Sequence, residues 1–427
     1  MVLSAVFQID RAGYDGLLVL PSLSINMPRS LQHRSVFNTK LGKLVDDMSA
    51  WEGKERIDEE EVAKIRQAIT PFAHTASFTE SYQIGGVDGS GDYPSLSYSD
   101  SFVSIANASG TVYRTDSIHG LAELDSVADP NLELVWLPED RESAKPFWIE
   151  SLSNLAGLPV NEVIASSDYR SLKDMASHHR HSAAELEENL ILPAASDTSN
   201  VAIQLRSTAE YGAALRLIRH DERCRFVLMD TTLSLPMATR KQLSLFYEHL
   251  KRFCCVEARE RGVAFITVSK SHGLPCIDEV EKLAAEVCDS GKKLAEHWFW
   301  RLPIPDIDEW ELSLVEGRTI PPIGAVSYLV RFHRNTPVLR FDLDRSFWES
   351  QFREDPAAEA RFFGELDYTC HDQRSFGYPY PIKACHDRVR LSMNERTALK
   401  KQIVEAAVAK GMKRSLFRDV STSTGHV

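Results

Sequence analysis

Three ionisable side chains each stand at the end of a run of β-type residues. Asp88 follows 81–87 (SYQIGGV), Asp230 closes 224–230 (CRFVLMD), and Lys270 follows 263–269 (VAFITVS). In an open α/β sheet the carboxyl ends of the strands splay into the crevice where ligands bind. Two carboxylates meeting at such an edge repel one another, and one pKa rises unless a cation neutralises the pair. Hard oxygen donors of this kind suit Mg²⁺ or Mn²⁺. A lysine beside them favours an anionic substrate over a neutral one. Each residue also has a plain structural use: Asp88 in Asp-Gly-Ser suits a turn, Asp230 suits a helix N-cap, and Lys270 suits a solvent-facing strand end. His178, His179 and His181 lie close together on a polar helix and read as solvated.

Strands and helices in alternation must position these residues. Helix 206–220, strand 224–230, helix 238–261 and strand 263–269 follow one another in the rhythm of an α/β domain with parallel neighbours. The strands 224–230 and 263–269 are nearly continuous apolar runs, as in strands covered on both faces. Upstream, 1–80 reads as mainly helical, with 51–67 at amphipathic spacing. Residues 101–113 (SFVSIANASGTVY) read as one strand, or as two joined at 108–110. The stretch 115–200 is polar and mixed and reads as an insertion, with a helix over 171–189. Two more strands are expected at 325–332 and 338–343, then helices at 382–390 and 394–410 and a flexible tail at 421–427.

Composition narrows the class. A chain of 427 residues, 43% hydrophobic and 26% charged, has ample material for a core and suits one elaborated or two closely packed domains. No stretch approaches the roughly 20 apolar residues of a membrane span, and the first residues lack the basic region and cleavage site of a signal peptide. A cytoplasmic protein without membrane association is expected. Seven cysteines without a CxxC pair suit free, buried thiols in a reducing compartment. Cys-His-Asp occurs at 370–372 and 385–387, but adjacent residues on a helix diverge and zinc-ligand spacing is missing, so no structural zinc is expected. The net charge of −12 argues against a coating type of nucleic-acid binder. Residues 373–418, however, carry eleven basic against three acidic side chains. That pattern suits either a solvated helix face or a basic lining for a polyanion led to one site.

From about 85 to 398 the sequence resembles the NurA family, DNA end-processing nucleases that work with the hexameric ATPase HerA. Val87-Asp88-Gly89-Ser90 is similar to the family's first motif, and 226–233 (FVLMDTTL) to its second strand. Residues 206–210 are similar to the segment that carries its helix acid, and 262–271 (GVAFITVSKS) to the strand that ends in lysine. Gly377-Tyr378-Pro379-Tyr380-Pro381, with Ala384 and His386 downstream, is the most specific match. One departure is Asp230-Thr231-Thr232 where the family usually has Asp-Gly, which bears on the local turn.

The resemblance implies an α/β fold with an RNase H-like mixed sheet core flanked by helices. Together with the helical reading of 1–80, which the resemblance does not cover, it divides the chain into that helical region, a nuclease domain at 81–420 with an insertion at about 115–200, and the tail at 421–427. It implies metal ligands at Asp88, Glu210, Asp230 and His386, further catalytic residues at Lys270 and Tyr378, and Mn²⁺ or Mg²⁺ as the cofactor. The implied partners are DNA, a HerA-like hexameric translocase and a second copy of the chain, in DNA repair or anti-phage defence. Two other readings are an actin or sugar-kinase-like phosphoryl-transfer protein and a non-catalytic adaptor of such an ATPase. Against the former, the chain has no GxxxxGK[ST] phosphate loop. Against the latter, an adaptor has no use for this full set of polar residues.

Overall fold

A strand covered on both faces must be apolar at successive positions, and the segments closing on Asp230 and Lys270 meet that condition. The computed structural model describes residues 34–51, 59–74, 81–91, 94–116, 120–124, 131–177, 179–195, 197–220, 223–233, 243–271, 277–288, 295–304 and 323–418. Among them, twelve strands form one mixed sheet. They are β1 (Ile69–Pro71), β2 (Gln83–Ser90), β3 (Pro94–Tyr98), β4 (Ser101–Asp116), β5 (Gly120–Glu123), β6 (Asn131–Pro138), β7 (Cys224–Asp230), β8 (Ala264–Ser269), β9 (Trp298–Arg301), β10 (Ala325–Arg331), β11 (Leu339–Asp344) and β12 (Phe417–Arg418).

The middle of this sheet has the expected RNase H-like order. The strands β2 and β3 lie in succession along one edge of the 16-residue β4, antiparallel to it, and β5 and β6 line its other edge. The strand β7 then runs parallel to β2, and β8 parallel to β7. Beyond β8 the sheet continues antiparallel through β11, β10, β9 and β1.

Alternation along the strands divides the core into two layers. Val227 and Met229 of β7 face the helices Arg141–Ala156, Thr198–Ile218 and Phe246–Arg261. Phe226 and Leu228 face the opposite layer, which includes Phe362 and Phe363 of the helix Pro356–Asp367 and Ile382 of the helix Tyr380–Val389. Asp140 starts the first of these helices by accepting from Ser143 N, and Gly157, at φ 73°, ends it in the left-handed region.

Several sequence expectations change in detail. Residues 101–113 lie within a single strand, because Ala108, Ser109 and Gly110 stay in the ladder opposite Gly89, Asp88 and Val87. The stretch 115–200 supplies β5 and β6 to the central sheet, so its first part belongs to the core. The expected helix over 171–189 is two, Tyr169–Ser177 and Ala183–Glu188, the second started by a Ser182–Glu185 capping box. His181 lies between them, buried and hydrogen-bonded to Asp174 rather than solvated. His179 is exposed, and His178 lies outside the described residues.

Residues 1–56 and 57–427 form separate units. In the first, the described residues form the helix Arg34–Trp51. In the second, the helix Glu59–Ala68 leads directly into β1. No helix among the described residues is long and apolar enough to cross a membrane.

Candidate active site

Parallel pairing of β2 with β7 aligns Val87 with Met229, so the next residues, Asp88 and Asp230, stand side by side. Val87 and Met229 point into the first core layer, so the two aspartates point to the other face of the sheet. The strand β8 continues the row: Asp230 aligns with Val268, and Lys270 follows two residues later. Three strand ends thus place two acids and an amine along one edge. The pairing of β2 runs on through Ser90, so Asp88 is a ladder residue opposite Ser109 and not a turn aspartate.

Asp88 is 8% exposed. Its Oδ1 accepts from Gly89 N at 2.7 Å, and its Oδ2 accepts from His386 Nδ1 at 2.8 Å. Burial pushes its carboxyl above the usual range, and the charge of Asp230 adds to the rise. Asp230 accepts from Lys270 Nζ at 3.2 Å, and that ammonium lies 4.6 Å from the centre of the Tyr378 ring. Burial, and next the charge of Asp230, push the Tyr378 phenol far up, so it stays a donor. Its hydroxyl is buried without a well-aligned partner.

Glu210 approaches from the other face. It lies in the helix Thr198–Ile218, is 6% exposed, and faces Arg206, with 3.4 Å between Oε1 and Nε. Only a glycine at position 89 admits it, since a Cβ there would lie 2.6 Å from Glu210 Cγ. Glu210 therefore stands against the backbone next to Asp88.

The Gly-Tyr-Pro-Tyr-Pro segment carries Tyr378 and His386. Gly377 takes φ 74° and donates to Cys370 O at 2.6 Å. Pro379 caps the helix Tyr380–Val389, and Pro381 sits in its first turn, where a missing N–H costs nothing. That helix presses on β2 so closely that a Cβ at Gly86 would lie 2.4 Å from the Pro381 carbonyl carbon. Cys385 Sγ lies 2.9 Å from Gly86 O and 3.0 Å from Thr111 Oγ1. These contacts seat the helix, and His386 reaches Asp88 from its next residue. Nothing in the sequence marked Cys385 or Thr111 for this part, because their partners are remote in the chain.

All six sequence-derived residues thus gather at one sheet edge, four on the face of the helix Tyr380–Val389, Glu210 from beneath, and Lys270 at the rim. Carboxylates and an imidazole are donors of the kind divalent cations take, but in this arrangement no three of Asp88, Glu210, Asp230 and His386 bring their ligand atoms within 4.8 Å of one another. As the side chains stand, each acid meets a basic neighbour: Asp88 meets His386, Asp230 meets Lys270, and Glu210 meets Arg206. The basic segment lies downstream, where the helix Met393–Ala409 carries no buried residue.

No protein-family model and no curated protein matches the sequence. In structure the chain is similar to the NurA nuclease from Sulfolobus solfataricus, with 14% identity, 91% of this chain and 99% of that chain covered, and a TM-score of 0.48. It is also similar to a NurA structure with manganese, with 11% identity, coverage of 89% and 99%, and a TM-score of 0.35. Endonuclease V from Ciona intestinalis, in complex with inosine-containing DNA, is similar at 12% identity, with coverage of 80% and 100% and a TM-score of 0.28.

Proposed function

We propose that this chain is a divalent-metal-dependent deoxyribonuclease that hydrolyses phosphodiester bonds at the edge where β2, β7 and β8 end. The observation that carries the reading is the alignment of Asp88 with Asp230 on adjacent parallel strands, in a setting that raises the Asp88 pKa. Two carboxylates side by side at a strand edge suit a cation, which would offset the cost of burying the Asp88 charge. The resemblance of the motifs to NurA agrees with it.

Asp88, Glu210 and Asp230 would hold Mn²⁺ or Mg²⁺, with His386 as a further donor. When bound, the cation lowers the pKa of a coordinated water and offsets charge on the phosphate. The rest falls to the chain. Lys270, which donates to Asp230 at 3.2 Å, would bind a non-bridging phosphate oxygen. Tyr378, kept protonated beside Asp230, would donate its hydroxyl to the phosphate or stack on a terminal base. His386 would either join the donor set or protonate the leaving oxygen. Exposed lysines and arginines of 373–418 line the approach of the DNA.

We extend the same reading to the partners. A HerA-like hexameric translocase would feed DNA to a dimer of this chain in repair or anti-phage defence, as the motif resemblance implies. The test is degradation of end-labelled DNA with Mn²⁺, with Mg²⁺ and with EDTA. Asp88→Ala and Asp230→Ala should each lower the rate by at least about 10³-fold while unfolding stays cooperative. Retained cleavage in either variant overturns the metal reading. Co-elution with a HerA-like ATPase tests the partnership separately.

A further inference from the structure

Away from the aspartate edge, His74, His297, Asp367 and His371 offer ligand atoms that all lie within 4.8 Å of one another. We propose that these four residues form a second metal site, a structural one for Zn²⁺. Its donor set is three imidazoles and one carboxylate, unlike the carboxylate-rich set at Asp88. Nitrogen-rich tetrahedral sites select zinc over magnesium or calcium.

Distant elements meet there. Pairing of β1 with β9 aligns Pro71 with Trp298, which brings His74, just past β1, beside His297, just before β9. Asp367 and His371 come from the end of the helix Pro356–Asp367 and the turn after it. The fully buried carboxylate of Asp367 is the hub. Its Oδ2 lies 2.6 Å from His74 Nδ1 and 3.4 Å from His297 Nε2, and its Oδ1 lies 3.1 Å from His371 Nδ1. Zinc–ligand bonds of about 2.0–2.2 Å require donors roughly 3.3–3.6 Å apart in a tetrahedron, so small side-chain rotations complete the shell.

Two further observations point into the site. Asp367 Oδ1 and His297 Nε2 are buried, and their contacts to His371 and to Asp367 Oδ2 are poorly aligned as hydrogen bonds, so both atoms gain from a cation that takes their lone pairs. His297 also takes φ 60°, the left-handed region that a residue with a Cβ rarely occupies. Its N–H donates to Arg331 O and its carbonyl accepts from Phe72 N, both at 2.9 Å, so the sheet edge holds it in that strained conformation. The Cys-His-Asp motif at 370–372 contributes His371 alone. Cys370 is buried in the apolar core, and the acid that pairs with His371 is Asp367, four residues back. A cation here would tie the outer edge of the sheet to the helix Pro356–Asp367.

The experiment uses the full chain, stripped with EDTA, loaded with Zn²⁺, desalted and analysed for metal content. Wild type and Asp230→Asn should both retain about one zinc per chain, and His74→Gln and His371→Gln should lose it. With zinc at about 100-fold above its Kd, the Tm of wild type should rise by about 3 °C over the stripped protein, and that of His74→Gln should not. Absence of retained zinc in wild type overturns the proposal. So does retention in both histidine variants, or loss in Asp230→Asn, which would assign the ion to the aspartate edge. Should a histidine variant fail to fold, Co²⁺ in the wild type decides, since the intense visible bands of tetrahedral cobalt are expected and an octahedral spectrum overturns the site.

Discussion

Replacing Gly86 by alanine tests how the fold aims His386. A Cβ at this position would meet Pro381 at 2.4 Å from its carbonyl carbon, 2.5 Å from its oxygen and 2.7 Å from its Cβ, where ordinary contact begins at 3.4 Å. The obstacle is backbone and cannot rotate away, so the helix Tyr380–Val389 must lift by about 1 Å, the amount of the overlap. Lifting it breaks the contacts of Cys385 with Gly86 O and Thr111 and draws His386 from Asp88. Overpacking of this size costs about 1–3 kcal/mol, and the unfolding entropy of a unit this long converts that to a Tm fall of about 1–4 °C. A 1 Å displacement of a reacting group costs about 100-fold in rate. The variant should therefore stay folded at 25 °C and degrade labelled DNA about 100-fold more slowly in Mn²⁺. Gly42→Ala, where a Cβ meets nothing within 4 Å, is the control and should keep full activity. Full activity in a folded Gly86→Ala protein would refute the claim that this contact sets the position of His386.

Other outcomes follow from the same structure. A carboxyl whose folded pKa is raised holds its proton to higher pH in the native state, so stability falls as pH climbs from the unfolded pKa, near 3.9, through the folded one. Asp88→Asn, measured in EDTA, should accordingly raise the Tm at pH 7 while abolishing cleavage, and the gain should vanish below about pH 3.5; an equal Tm difference at both pH values would count against this account. DNA binding through about six phosphate contacts should weaken by about 10³-fold between 50 and 200 mM salt, read by fluorescence anisotropy; a flat response would return the basic segment to a solvated face. Leu228→Ala, at a fully buried position facing the Pro356–Asp367 layer, should cost about 2–5 kcal/mol in urea unfolding, and a loss below about 1 kcal/mol would contradict that packing.

What the sequence by itself determined is local in physical origin. The apolar run 224–230 reads as a covered strand with the bounds β7 has, because solvent exclusion on both faces leaves its mark on each residue. Ser392 followed three residues later by Glu395 starts the helix Met393–Ala409 through a reciprocal cap that needs nothing beyond one turn of chain. Gly377 and the two prolines after it dictate a turn into a helix for the same reason, and strand ends alone drew attention to Asp88, Asp230 and Lys270. Tertiary structure decided which residues share a face and what they touch. The register that sets Asp88 beside Asp230 comes from ladder pairing and from the burial of Val87 and Met229. His181 reads as solvated until a neighbouring turn buries it against Asp174. The His74–His297–Asp367–His371 group spans almost 300 residues of chain and has no local signal beyond an acid and a histidine four apart. Propensity acts over a few residues, whereas side chains remote in sequence meet only when the whole sheet closes its hydrogen bonds and buries its two apolar faces.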